Sequence, residues 1–372
     1  MKHNNTAWYN AENVADVASP ALLVYPERIE ANVRQLIAIA GGTQRLRPHV
    51  KTHKLPEIVR IQRELGIEKF KCATIAEAEM VAGCGAAHVL LAYQPVGPNV
   101  VRLVQLIEKY PATRFAAIVD NAASIRAIAQ AAEAKKCSVE LLLDLDCGMC
   151  RTGLAPGAEA VELYRLIAGL PGAELGGLHA YDGHIHDSDL AARTAATLAA
   201  FAPVTALRTQ LLQQGLPVRR TVVGGTPTFP IHARDKSFEC SPGTCVLSDA
   251  GYGIQFPDLN FSPAALVLTR VISKPGMNRL CLDLGHKAIA SENPPPRVQL
   301  LGLPDAVPVM HNEEHLVLET PRAAEFAIGD VLYGIPWHIC PTVALHAFAV
   351  VVRAGRARER WKIVARDRAL TI

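Results

Sequence analysis

The run Leu46-Arg47-Pro48-His49-Val50-Lys51-Thr52-His53-Lys54 places two lysines and two histidines within six residues. Apolar residues lead into it and Pro48 stiffens the approach. A lysine where a buried strand ends is well placed to have its ammonium desolvated, which favours the neutral amine. That form attacks a carbonyl or an aldehyde cofactor to make a Schiff base. On an extended segment His49, Lys51 and His53 would share one face, so a histidine could reach a cofactor ring or a metal. The competing readings are a solvated basic loop, and histidines that only hydrogen-bond within the fold.

Three further stretches carry chemistry. In Gly224-Gly225-Thr226 the glycines would let backbone N–H groups approach an anion, with the Thr226 hydroxyl as a further donor; alone, such a pair is a tight turn. The segment His179-Ala180-Tyr181-Asp182-Gly183-His184-Ile185-His186-Asp187 is a dense polar cluster. In His338-Ile339-Cys340 a spacing of two on an extended segment would turn imidazole and thiolate to one side, where they could chelate one ion. Two protein ligands would leave positions open for water and a substrate oxygen.

Together with Leu145-Asp146-Cys147-Gly148-Met149-Cys150-Arg151-Thr152-Gly153 and Ser241-Pro242-Gly243-Thr244, the lysine segment, the Gly224 block and the His338 block resemble the D-threonine aldolase and D-serine dehydratase family, in order and over most of the chain, while Tyr181–Asp187 differs from its better-known aldolases and dehydratases. Its members are pyridoxal-phosphate enzymes with the alanine-racemase type of barrel. The resemblance implies that Lys51 is the Schiff-base lysine, with Lys54 as its competitor and His49 beside the cofactor. It implies Arg151 against the phenolic oxygen, Tyr181 in the site, and Gly243 and Thr244 beside Gly224, Gly225 and Thr226 as the second phosphate block. His338 and Cys340 match the family's metal segment; the pair leans towards Zn²⁺, with Mn²⁺ or Mg²⁺ as alternatives. The expected cofactors are pyridoxal 5′-phosphate and a divalent ion.

The activity implied is cleavage of a D-β-hydroxy amino acid, D-threonine to glycine and acetaldehyde, with a histidine of the 179–186 cluster, taken as His184, as base at the β-hydroxyl. D-serine dehydratase or D-3-hydroxyaspartate dehydratase is the alternative, favoured by the His-x-Cys pair. A racemase would need a second base on the opposite face. A non-enzymatic pyridoxal-phosphate carrier would lack the carboxy-terminal module. Cys245 and Trp337 depart from residues common in the family, which leaves the substrate open. A homodimer is expected from the resemblance.

Elements must position these residues. From about Ala21 to Val223, eight β-rich runs alternate with amphipathic stretches: Ala21-Tyr25, Arg45-Val50, Lys69-Ala73, His88-Ala92, Arg114-Val119, Val139-Leu145, Leu175-Ala180 and Arg220-Val223. This pattern predicts an α/β (β/α)8 barrel over 20–255, with an open doubly wound sheet as the alternative. Reactive groups in such a barrel sit at the carboxyl ends of the strands, where Lys51, Arg151 and Gly224 fall. Beyond about Tyr252 strand-like runs at Ala264-Ile272, Arg279-Leu284, Val298-Leu301, His315-Leu318, Val343-Val352 and Trp361-Ala365 predict an all-β domain over 256–372, with residues 1–19 joining it.

The 372 residues carry a formal charge of only +3 and no long basic run, which gives nucleic acid no electrostatic footprint. No run of roughly 18 apolar residues stands out as a membrane span. The start, Met1 to Thr6, lacks the apolar core of a secretory leader. Nine scattered cysteines fit reduced thiols, so a cytoplasmic enzyme acting on a small molecule is expected.

Overall fold

The protein was analysed as a computed structural model that describes residues 7–372; the leader reading of the first six falls outside the described residues. The chain divides into two compact units. The first comprises Arg34–Lys51, Ile58–Gly243 and Asp367–Ile372. The second comprises the residues up to Val33, Thr52–Glu57 and Thr244–Arg366.

The first strand, β1 (Ala21–Val24), is fully buried and was expected to open the barrel. It instead pairs antiparallel with β9 (Ala265–Gly276) and parallel with β15 (Phe348–Arg353) in the other unit's sheet. A short apolar strand buried on both faces has the same pattern in either sheet, so its composition could not assign it.

The barrel is built from β2 (Lys69–Cys72), β3 (His88–Leu91), β4 (Arg114–Val119), β5 (Val139–Leu145), β6 (Ala173–Ala180), β7 (Thr221–Val223) and β8 (Phe238–Cys240), all parallel and in sequence order. The segment Leu46 to His49 closes the ring. Leu46 bridges Cys240 of β8 and His49 bridges Lys71 of β2. Arg47 N–H donates to Cys240 O at 2.9 Å, and Lys71 N–H donates to Pro48 O at 2.9 Å. Pro48 breaks the regular ladder here, because it has no N–H to give. β8 escaped sequence reading because three residues ending in Glu239-Cys240 make no visible run.

Inside the barrel, Leu90, Ala116, Ile118, Leu142 and Val222 form an apolar layer. Below it lies a charged layer: Glu239 pairs with Arg47 (2.9 Å) and Lys69 (2.6 Å), while Glu140 meets His88 (3.0 Å), Arg114 and Arg220. The polar residues that matter for chemistry lie at the opposite, carboxyl ends of the strands.

The helix Leu190–Gln213 is, by length and composition alone, long and apolar enough to cross a bilayer, which the sequence reading had not seen. Its buried residues Arg193, Thr197, Phe201, Val204, Leu207 and Leu211 recur at steps of three and four, the stripe of a helix packed on one side. Phe201 packs on His232 and Phe238, with ring centroids at 4.3 and 6.1 Å.

In the second unit, β9 is the central strand. The sheet runs β12 (Val307–His311), β13 (Leu316–Glu319), β10 (Arg279–Leu282), β9, β1, β15 and β16 (Arg356–Lys362). β14 (Val331–Pro336) also pairs with β9 and carries β11 (Val298–Leu300). Every pairing except β1 with β15 is antiparallel. Val267, Val271, Leu280, Leu282, Leu316 and Leu318 lie in its core. The run Val343-Val352 was expected to be one strand; its first part belongs to the helix Ile339–Leu345, and only Phe348–Arg353 is strand.

Candidate active site

At the carboxyl ends of the barrel strands three basic side chains surround one aromatic ring. Lys51 Nζ, Lys71 Nζ and Arg151 Cζ lie 5.8, 5.7 and 5.3 Å from the centroid of Tyr181. Lys51 is half-buried and sits in a single 3-10 turn, Val50–Thr52, not on an extended segment. The shared face expected for His49, Lys51 and His53 is therefore absent. The buried His49 turns back locally, its Nδ1 accepting the Lys51 N–H at 3.3 Å. His53 belongs to the other unit; burial pushes its imidazole down to about 3, and its Nδ1 accepts the Leu55 N–H at 3.1 Å. Lys54, with φ at 55°, lies in that other unit too.

Lys71 escaped the sequence reading. It is 3% exposed and donates to the Ser241 hydroxyl. Burial, with Lys51 adding to it, lowers its pKa to about 7. A strongly desolvated amine is found here. The available signal was a lone lysine between Phe70 and Cys72 in an otherwise apolar strand.

Asp144 and His179 are register partners on β5 and β6, and His179 Nδ1 meets Asp144 Oδ1 at 2.7 Å. Burial lowers the His179 pKa, although Asp144 opposes that shift. Its Nε2 is buried and without a hydrogen-bond partner among the described residues. A buried imidazole nitrogen left in this state indicates a group still to be met.

Gly224, Gly225 and Thr226 follow β7, and Ser241, Pro242 and Gly243 follow β8. Counting the closing segment as the first strand, these are the seventh and eighth positions, where barrel phosphate sites commonly form. Gly243 N–H donates to Thr226 Oγ1 at 3.3 Å, so the two blocks touch. Gly224 has φ +73°, and a Cβ there would lie 2.7 Å from His232 Cδ2. A Cβ on Gly225 would lie 3.0 Å from Tyr181 Cε2. Asp182 fixes this loop from behind: it accepts from Thr228 Oγ1 at 2.9 Å and meets His232 Nε2 at 2.7 Å.

Arg151 is exposed on a loop ordered by Asp146, whose Oδ1 accepts the N–H groups of Gly148 (2.9 Å) and Cys150 (3.0 Å). His184 is exposed and packs over Gly148, where a Cβ would lie 2.8 Å from its Nε2. His186 and Asp187 are exposed as well.

In the second unit His338 precedes the helix Ile339–Leu345, which places Cys340 in that helix's first turn instead of on an extended segment. His338 Nδ1 meets Glu292 Oε1 at 2.5 Å. The Cys340 sulfur donates to Thr52 Oγ1 at 3.2 Å and lies 3.6 Å from Thr244 Oγ1. Thr244 thus faces Cys340. Burial opposes both charges, yet the pair's own hydrogen bond raises His338 to about 9 and lowers the Cys340 thiol. Asp249, raised by burial to about 6, accepts the Ile339 N–H at 3.1 Å. No cluster of three or more potential ligands occurs among the described residues.

The barrel residues fit a phosphate-bearing aromatic aldehyde. Two amines, a guanidinium, a glycine cradle and an unpartnered buried imidazole nitrogen converge, and each matches one part of such a molecule. His338 and Cys340 fit an ion held by two protein ligands, since imidazole and sulfur already interact and that interaction lowers the thiol.

The chain is similar to known proteins over most of its length. The alanine racemase N-terminal domain matches residues 24–250, and a domain described as "Putative serine dehydratase domain" matches 264–352. A D-threonine aldolase from Arthrobacter sp is 31% identical over 95% of this chain and 94% of its own. A 3-hydroxy-D-aspartate aldolase from Paracoccus denitrificans (strain Pd 1222) is 26% identical, covering 95% and 93%. The crystal structure of D-threonine aldolase from Filomicrobium marinum superposes with a TM-score of 0.89 at 28% identity, covering 95% of this chain and 97% of that one.

Proposed function

From the premise that the chain belongs to the alanine racemase N-terminal domain family, within the D-threonine aldolase group, we propose that this lyase splits a D-β-hydroxy amino acid between Cα and Cβ. The substrate proposed is D-threonine, giving glycine and acetaldehyde. The observation that carries the reading is the convergence of Lys51, Lys71 and Arg151 on Tyr181, beside glycine loops at the last two barrel positions.

Lys51 holds pyridoxal 5′-phosphate through its amine. Gly224, Gly225 and Thr226, with Gly243, take the phosphate, and Arg151 takes the phenolic oxygen. When bound, the cofactor supplies the electron sink for the pair left on Cα. His179 stays uncharged, because burial disfavours its cation, and offers Nε2 to the ring. His184 accepts the proton of the substrate's β-hydroxyl; its exposure and its place over Gly148, on the loop bearing Arg151, support that role. A divalent ion on His338 and Cys340, zinc as first choice, would supply a Lewis acid for the substrate oxygen. A cytoplasmic homodimer completes the proposal, and the nine free cysteines fit that compartment.

The second reading, a dehydratase, is favoured by the His338-x-Cys340 pair and by the domain matched over 264–352. The α-hydrogen separates the two. An aldolase leaves the substrate's own α-hydrogen on glycine, whereas a dehydratase must remove it. D-Threonine deuterated at Cα is expected to give labelled glycine and acetaldehyde, with little isotope effect. Unlabelled 2-oxobutanoate would replace the aldolase reading with the dehydratase one.

A further inference from the structure

Lys71 belongs to none of the sequence blocks that define the site, yet it is the most deeply buried amine in it. Its backbone is pinned to the segment carrying Lys51, through the Lys71 N–H to Pro48 O bond of 2.9 Å and the His49 bridge. Its side chain reaches past the closing segment to the Ser241 hydroxyl, which also lies 3.1 Å from Val223 O and 3.0 Å from Gly224 O. Val223 and Gly224 lead into one anion-binding loop, and Ser241 leads into the other. One amine is therefore tied to both.

We propose that Lys71 is a positioning residue of the phosphate site, which braces the two loops through Ser241 and supplies the positive charge that balances a bound phosphate dianion. The inference rests on the reading of this barrel end as a pyridoxal-phosphate site. The charge is conditional. Lys51 and Arg47 disfavour the Lys71 cation, and Asp144 and Asp182 favour it. Asp144 is shared with His179, and Asp182 with His232. Arg151 stands on the same ring, Tyr181. With burial dominant, Lys71 is largely neutral above a pH of about 7 until an anion arrives. An arriving dianion raises its proton affinity, so binding above neutrality draws in a proton, whereas at pH 6 the amine already carries it.

The test uses the apoprotein, reloaded with pyridoxal 5′-phosphate, in wild-type and Lys71→Met forms. At pH 8 the substitution is expected to weaken cofactor binding about tenfold, the loss of one charge-assisted contact. In weakly buffered solution, with an indicator matched to each pH, the wild type should take up more protons per site than Lys71→Met at pH 8, and the difference should vanish at pH 6. Borohydride trapping and peptide mapping should place the adduct on Lys51 in both. Equal affinity and equal proton uptake, with the adduct on Lys51, would overturn this inference alone. An adduct on Lys71 in the wild type would overturn it together with the Lys51 assignment. Should Lys71→Met fail to fold, Ser241→Ala cuts the brace while leaving the amine, and unchanged affinity in that variant would refute the proposal.

Discussion

At the scale of single residues, Lys51 was legible from the basic cluster where an apolar run ends, and Arg151 and Tyr181 from the family resemblance; the structure brings all three together. Lys71 was not, because a strand's interior is read for its apolar pattern and one lysine looks like noise. Replacing Lys51 by Ala should abolish turnover and the absorbance of protein-bound cofactor. Lys71, held by Ser241, is expected not to replace it. Spectra of the purified variant, with borohydride mapping, check this, and a stable adduct elsewhere would be the contrary result.

The metal pair behaves differently. His338 and Cys340 were recognisable by spacing, but the backbone expected beneath them was not, since one is extended and the other helical. Cys340→Asp exchanges a soft thiolate for a hard carboxylate and should shift the preferred ion from Zn²⁺ towards Mn²⁺. Chelated enzyme reloaded with each ion in turn should show the order of activation reversing in the variant. Full activity after chelation would remove the ion from the proposal.

At the scale of elements, the barrel's middle strands were read almost to the residue, because each alternates with a clear helical stripe. The ends were harder. β1 was assigned to the wrong sheet, β8 was missed, and the closing segment is a strand only by its bridges. These are short segments whose partners lie far away in sequence, information that periodicity does not hold. The glycine loop after β7 was legible because glycines there have work to do. Gly224→Ala should be costly: φ is +73°, and its Cβ would press on an imidazole that Asp182 holds at 2.7 Å. Destabilisation of more than about 1 kcal/mol is expected from the backbone alone. Weaker cofactor binding should accompany it, whereas Gly215→Ala, also at positive φ but with nothing near its Cβ, should spare the cofactor. Urea unfolding and cofactor titration of the two variants make the comparison.

At the scale of the whole molecule, the barrel carries opposite electrostatics at its two ends. One end gathers cations for an anion. The other buries a compensated network whose carboxylates, Glu140 and Glu239, are each held near 2 by their arginine, lysine and histidine partners despite burial. His88 is pushed by burial down to about 4. The signs of these shifts agree. A carboxylate held at about 2, against roughly 4.3 in the unfolded chain, contributes stability above that value and loses it as pH falls towards 2. A histidine held at about 4, against roughly 6.5 unfolded, makes unfolding easier as pH falls through the interval between them. Stability should therefore decline from about pH 6.5 downward, first through His88 and then through the two glutamates. Glu140→Gln should flatten the lower part of that decline. It should also cost about 3 kcal/mol or more near neutrality, because Arg220 loses the charge that compensates it inside the barrel and the neutral His88 loses its carboxylate partner. Urea midpoints measured from pH 7 to 3 on wild type and variant would show it. Parallel acid limbs in the two proteins would mean that the network contributes nothing to the pH dependence.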